Sequence, residues 1–208
     1  MSEGSPLISV VTPIHNMENG AFFLERLKRS LEKQTFRDFE LVLTKAGKMA
    51  ENTNAGIKKA RGKVIKILYM DDYLYSPYAL QHVAHWYSTK TNSRNGNTGW
   101  MASGCIHDNG ETVDQEHMPR WNENIRSGVN TIGSPSVVAF ENDNPLLFDE
   151  NLSWMLDVEL YARLEKRYGL PYLVNYPDIA IGIGPHQMTH ILSDEEKQEE
   201  HIYVTNKT

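Results

Sequence analysis

Val64-Ile65-Lys66-Ile67-Leu68-Tyr69-Met70 runs directly into Asp71-Asp72. A short, nearly continuous apolar run of this kind is expected of a strand buried on both faces. Two similar runs precede it: Leu7-Ile8-Ser9-Val10-Val11-Thr12, stopped by Pro13, and Phe39-Glu40-Leu41-Val42-Leu43-Thr44. Between those two, Ala21 to Gln34 places Phe23, Leu24, Leu27 and Leu31 at helical spacing, with Glu25, Lys28, Arg29 and Lys33 interleaved. Met49 to Lys59 reads as a weaker helix that ends near Gly62. Strand, helix, strand, helix, strand predicts an α/β chain with a mostly parallel sheet flanked by helices. In open sheets of this class ligands bind beyond the carboxyl ends of the strands. Pro13 to Asn16, Thr44 to Lys48 and Asp71 to Tyr73 are therefore expected on one rim.

Downstream the pattern is less regular. Pro77 to Tyr87 reads as a helix and Ser88 to Thr98 as a polar loop. Trp100 to Ile106 and Ser136 to Phe140 read as strands, with a turn at Asp108-Asn109-Gly110 after the first. Met155 to Tyr168 carries Leu156, Leu160 and Leu164 at helical spacing and ends at Gly169 and Pro171. Tyr172-Leu173-Val174 is a last short strand, and the acidic stretch from Asp194 is expected as a solvated helix or a loose tail.

Composition narrows the classes. The 208 residues suit one domain with a real core. Net charge is −6, and the stretch from Asp194 to Glu200 supplies most of it. No broad basic face remains for nucleic acid. The single cysteine, Cys105, excludes an intrachain disulfide and a cysteine metal cluster. No apolar run approaches the length of a membrane span, and no secretory signal opens the chain. The expectation is a protein of a reducing compartment, the cytoplasm, without a transmembrane anchor.

Asp71-Asp72 is the leading pair for chemistry. Adjacent carboxylates at a strand end suit a hard divalent cation that keeps waters and bridges phosphates; they equally suit a turn and helix N-cap ahead of Pro77. Asp157 opens the Met155–Tyr168 helix, where it serves either a reaction or the helix dipole. Glu159 and Arg163 follow at i, i+4 spacing. His186, in Gly182-Ile-Gly-Pro-His186, is either a metal ligand or a solvated loop histidine. His15 stands past the first strand and Lys48 past the second, where a lysine can meet a phosphate. Trp121 offers either a sugar-stacking face or packing. Gly56 to Lys63 has neither the spacing nor the Ser/Thr of a P-loop, and no Gly-x-Gly-x-x-Gly follows the first strand.

The order of these segments resembles the family 2 glycosyltransferases with the GT-A fold, including a bacterial spore-coat member. Pro6 to Asn16 looks like that family's first strand and nucleotide loop. Ser30 to Leu43 is similar to its helix-to-strand connection, and Asn54 to Ile65 to its approach to the metal strand. Met70-Asp71-Asp72 takes the place of the Asp-x-Asp motif, and Phe148 to Leu164 that of the segment with the catalytic base. The resemblance implies one GT-A domain over 1–193, with a nucleotide-sugar half at 1–105. Residues 106–193 form an acceptor half with a small antiparallel portion, and 194–208 are an acidic tail. It also implies a nucleoside-diphosphate sugar donor, UDP-sugar first, a saccharide or other hydroxyl acceptor, and Mn²⁺ or Mg²⁺. Asp157 is implied as catalytic base. Asp72, Asp71 and His186 are implied at the metal, and Pro13, His15, Ala46, Lys48 and Asp71 at the nucleotide sugar. A register anchored on Pro77 makes Asp72 the direct ligand; one anchored on Gly62 makes it Asp71. Where the family has Asp-Asp-Gly-Ser after the second strand, this chain has Lys45-Ala46-Gly47-Lys48. Weaker base selectivity is expected, with Pro13 and His15 holding the base. A sugar-nucleotide-binding module without turnover is the alternative.

Overall fold

The computed structural model describes residues 4–89 and 98–207. β1 (Ile8–Pro13) is buried along its length. It pairs in parallel with β2 (Phe39–Thr44) on one side and β3 (Val64–Ile67) on the other. Parallel neighbours need crossovers, and α1 (Gly20–Glu32) and α2 (Met49–Lys59) supply them. Leu27 and Leu31 are the buried apolar residues of α1; full burial of such side chains contributes about 1.5–3 kcal/mol each. Gly62 lets the chain enter β3 against β1: a Cβ there would stand 2.6 Å from the Ser9 backbone nitrogen.

After β3 come β4 (Tyr73–Leu74), α3 (Ala79–Thr89), β5 (Trp100–Asp108), β6 (Val113–His117), β7 (Val138–Glu141), α4 (Leu156–Tyr168), β8 (Tyr172–Gly182), α5 (Met188–Ile191) and α6 (Asp194–Lys207). Among the described residues the strands form one sheet in the order β2-β1-β3-β7-β5-β8-β4, with β6 on β5. β1, β2, β3, β5 and β8 run one way; β4, β6 and β7 oppose them. The mostly parallel sheet expected from the sequence is present, with β7 inserted antiparallel between β3 and β5.

Several boundaries differ from the sequence reading. β3 ends at Ile67 rather than Met70. Past it, the Tyr69 N–H is taken by the Ser136 hydroxyl at 2.8 Å, and the Asp72 N–H turns back to the Tyr69 carbonyl at 3.0 Å. β8 runs far beyond Val174, to Gly182. Pro177 hides it in the sequence. The strand tolerates that proline because its β4 neighbour pairs only at Ile179 and Ala180, and its register with β5 is irregular around Gly104. The Asp114–Ser134 stretch begins in β6 and contains a 3₁₀ turn at Glu123–Ser127. Its Trp121 packs edge-on to Trp100 with ring centroids 6.1 Å apart, so it serves the core. Of the Ser88–Thr98 loop, 90–97 lie outside the described residues.

The acidic C-terminal stretch is an ordered helix, α6, docked on the body. Val204 is fully buried. Lys207 pairs with both Asp149 at 2.5 Å and Glu159 at 2.7 Å. Asn54 bolts α2 to the stretch between β7 and α4. Its amide donates to the Phe148 carbonyl at 2.9 Å and accepts from the Phe148 N–H at 2.8 Å. No helix among the described residues is long and apolar enough to cross a membrane.

Candidate active site

The carboxyl ends of β1 and β2 and the chain beyond β3 open onto one cleft of about 910 Å³. His15, Lys48, Asp71, Asp72, Asp157 and His186 all line it. That brings together six of the side chains singled out from the sequence. Pro13 and Ala46 are not among the lining residues. Pro13 is buried in β1 opposite Thr44, which leaves its ring no face for a nucleobase. The Ala46 N–H is already used, donating to Asn52 Oδ1 at 3.0 Å.

Asn52 builds this rim. It lies within α2 yet is buried. Its amide nitrogen donates to the Ile14 carbonyl at 2.9 Å while its oxygen takes the Ala46 N–H. The loops after β1 and β2 are thereby fixed to each other. Lys45 adds an outer tie, donating to Asn16 Oδ1 at 2.8 Å. Lys48 precedes α2, and its N–H is capped by Glu51 at 2.7 Å.

At the acidic end, Asp71 Oδ2 lies 2.9 Å from His186 Nε2. The Asp71 hydrogen bond raises the imidazole above its usual range. Asp72 is buried, and its Oδ1 accepts from the Gly182 N–H at 2.8 Å. Burial, with the neighbouring Asp71 charge, pushes its carboxyl upward. Arg26 fixes the pair from behind, donating to the Asp71 carbonyl at 2.6 Å and to Asp108 at 2.8 Å. Its guanidinium lies 4.4 Å from the centre of the Tyr73 ring. Deeper still, Lys66 is wholly enclosed, donating to the Ser136 carbonyl, and burial lowers its ammonium to about 7.

Gly182 is the close approach on the β8 side. A Cβ there would stand 2.5 Å from the Asp71 carbonyl oxygen. Gly182→Ala is therefore expected to displace the Asp71-Asp72 peptide or strand β8, lowering the melting temperature by several degrees. Differential scanning calorimetry checks this; an unchanged melting temperature would show that the contact relaxes freely.

Asp157 occupies the first turn of α4 and is half-buried at the cleft. Its Oδ1 accepts from the Val158 N–H and its Oδ2 from Asn130, both at 2.7 Å. A helix start ordinarily depresses a carboxylate. Here burial outweighs it, and the group is raised to about 6. Glu159, the rival on the same helix, is fully buried. It is held by Arg163 at 2.5 Å and 2.7 Å and by Lys207 at 2.7 Å, in an ion pair away from the cleft.

Among the described residues no group of three or more His, Cys, Asp or Glu side chains stands as a ready metal cage. A hard divalent cation does not need one, since it binds through one or two carboxylates plus phosphates and waters. Asp71 and His186 already converge, and the buried Asp72 carboxylate lies beside them. The oxygen and nitrogen donors are of the right kind.

Sequence reading missed Asn52, Arg26, Asn130 and Trp154. Only Asn52 left a local signal, the polar run Asn52-Thr53-Asn54 within a helical stretch. Trp154 lines the cleft, with its indole N–H 3.3 Å from Thr189 Oγ1.

The chain matches no protein-family model and no curated protein sequence. Solved structures resemble it closely in shape. S. aureus TarS 1-349, in complex with UDP-GlcNAc, superposes over 96% of this chain at a TM-score of 0.70 and 18% identity. The chain spans 65% of that fragment's length. The same TarS fragment with UDP gives 0.63 at 17% identity, over 97% of this chain and 70% of that one. Mannosyltransferase PcManGT from Pyrobaculum calidifontis, with GDP-Man and Mn²⁺, gives 0.58 at 12% identity, covering 88% of this chain and 59% of that one. At these identities the likeness establishes the fold, and that fold is the GT-A type of the glycosyltransferases.

Proposed function

We propose that this chain is a metal-dependent, inverting glycosyltransferase of the family 2 kind. It would move a sugar from a nucleoside diphosphate, UDP first, to an acceptor hydroxyl. The observation that carries the reading is one shared cleft. Asp71, Asp72 and His186 line it together with Asp157 in a GT-A sheet, and its size suits a sugar nucleotide. The bound ligands of TarS and PcManGT support the donor class and the cation.

Asp71, His186 and Asp72 are the residues that would hold a divalent cation; when bound, such an ion supplies charge neutralisation to a diphosphate leaving group. Lys48 adds a positive charge at the nucleotide side. Asp157 takes the proton of the acceptor hydroxyl as its oxygen bonds to the anomeric carbon. The bond to the diphosphate oxygen breaks in the same displacement, and the electron pair leaves with the diphosphate. A carboxylate near 6 is ionised at neutral pH and still basic enough to accept that proton. Asn130 and the Val158 N–H hold it in place.

The test is a donor panel of UDP-, GDP-, CMP- and dTDP-sugars, with thermal shift and donor hydrolysis read with and without Mn²⁺. Mn²⁺-dependent stabilisation by a nucleoside diphosphate, with sugar release, is expected. Binding without any release or transfer would make the chain a sugar-nucleotide-binding module. No binding at all would end the reading.

With Lys45-Ala46 in place of acids after β2, and Pro13 closed off, the nucleobase is left to His15 and the backbone of the rim. Base selectivity is expected to be weak, with His15→Ala reducing nucleotide affinity about tenfold. Isothermal titration with UDP, GDP and CDP checks it; strict preference for one base, untouched by His15→Ala, would refute it.

A further inference from the structure

Three features bear on α6. Glu200 accepts from three consecutive N–H groups at the approach to α4: Ser153 at 2.8 Å, Trp154 at 2.9 Å and Met155 at 2.8 Å. His201 Nε2 lies 3.0 Å from the Ser127 carbonyl, at the end of the 3₁₀ turn that leads into Asn130. Lys207 and Tyr203 hold Asp149, just upstream of α4, at 2.5 Å and 2.8 Å. Each contact holds a segment that leads towards Asp157: two grip backbone, at Ser127 and at Ser153–Met155, and one grips the Asp149 side chain. Val204, fully buried, anchors the helix that makes them.

We infer that α6 is a working part of the acceptor side, with Glu200 a positioning residue that holds the start of α4 and so aims Asp157 into the cleft. The inference rests on the reading of Asp157 as proton acceptor. Free N–H groups at a helix start carry partial positive charge. A carboxylate placed on them offsets that charge. Glu200 does this on the N–H groups just ahead of α4, two to four residues before Asp157, and so offsets part of the field that depresses the base. Its own negative charge acts in the same direction. Asp157 is thereby both oriented and kept basic by a helix whose sequence reads as solvated charge.

The groups around Asp157 come from several elements. Tyr69 beyond β3 and Tyr161 on α4 stay neutral, because burial raises both phenols. Glu196 and Glu200 approach from α6, with Lys48 and His15 on the nucleotide rim and Asp71, Asp72 and His186 at the cation end. Of these, Glu200 is the group that also bonds the backbone leading to Asp157.

The experiment uses the full chain and three variants. Carbon-13 carboxyl shifts follow the titration of Asp157 directly, independent of turnover. In Glu200→Gln the side-chain oxygen still accepts N–H groups, but the charge is gone. Asp157 is expected to titrate lower by roughly half a unit or more. The acid limb of turnover should move to lower pH with it, with donor affinity and binding stoichiometry unchanged. In Glu200→Ala the grip is lost, and turnover is expected to fall about 10–100-fold, as misplacement of a reacting group does. Gln should restore most of that loss. If Glu200→Ala does not fold, the Gln variant decides alone. An unmoved Asp157 titration in Glu200→Gln, or native turnover in Glu200→Ala, would overturn the inference. Full turnover in Asp157→Asn would instead overturn the reading of Asp157 as base, leaving the two failures distinct.

Discussion

Replacing Asp157 by Asn is expected to cut sugar transfer by about 10²–10⁴-fold, the usual worth of a general base. Donor affinity should stay nearly constant, because in the proposed reaction the base acts on the acceptor hydroxyl. The same variant carries a stability signature. Burial raises the Asp157 carboxyl from 3.8 to about 6. Its contribution to stability is therefore fully present below 4 and lost as pH rises through 6. Asn does not titrate, so the melting temperature of the variant, relative to the native chain, should climb between pH 4 and pH 8. Two pKa units set an upper bound of about 3 kcal/mol. Water in the cleft screens a half-buried group, so roughly 1–2 kcal/mol is expected, or about 2–8 °C in a chain of this size. Glu159→Gln should behave in the opposite way. It breaks a buried ion pair with Arg163 and Lys207, costing roughly 2–4 kcal/mol because the partners keep some solvent. Turnover per folded molecule should be preserved. If Glu159→Gln abolished transfer and Asp157→Asn did not, the base would have been assigned to the wrong carboxylate.

The second large effect is expected at Asp71. A saturating nucleoside diphosphate with Mn²⁺ should raise the melting temperature of the native chain by roughly 5–10 °C, taking ligand at a hundred times its dissociation constant. Asp71→Asn should abolish the Mn²⁺-dependent part, because that carboxylate faces the cleft beside His186. His186→Ala should reduce it. Asp72→Asn keeps the hydrogen bond from the Gly182 N–H but removes the charge, and should also suppress the metal increment. Manganese paramagnetic resonance gives an independent reading of bound ion. A full metal increment in Asp71→Asn, with none in Asp72→Asn, would make the buried carboxylate the direct ligand and Asp71 its neighbour.

Much of the first half of the fold was legible because its signals are local. β1, β2 and β3 are continuous apolar runs, and α1 and α2 carry their periodicity within a dozen residues. Adjacent carboxylates at a strand end are visible wherever the strand is. The second half was less legible because its structure is set by long-range partners. β8 contains a proline, and its place is fixed by β5, some 70 positions earlier. Arg26 reads as one more charge on an amphipathic helix; only the fold brings it 2.6 Å from the Asp71 carbonyl. Glu200 sits in an acidic run that composition marks as solvated. Its carboxylate is instead spent on three N–H groups over 40 residues away. Asp157 was found by motif, but the direction of its pKa was not. A helix start predicts a depressed carboxylate, and burial wins over it and over the hydrogen bonds from Asn130 and the Val158 N–H.

The Asn54 bolt has a consequence for how such a chain can diversify. Its reciprocal bonds at residue 148 go to main-chain atoms alone, the Phe148 N–H and carbonyl. Main-chain groups are the same whatever side chain the position carries, proline excepted. The joint between the nucleotide side and the segment leading to Asp157 is thus largely indifferent to the sequence it grips; the further bond to Glu150 is the one part that reads a side chain. Foreign segments of matching length could be exchanged downstream of this joint, carrying a new acceptor preference, without re-engineering α2. On the reading proposed above, change in the acceptor segment is only loosely tied, at this joint, to the part that would hold the donor, while the β3–β7 pairing and the Tyr69–Ser136 bond keep the two in register.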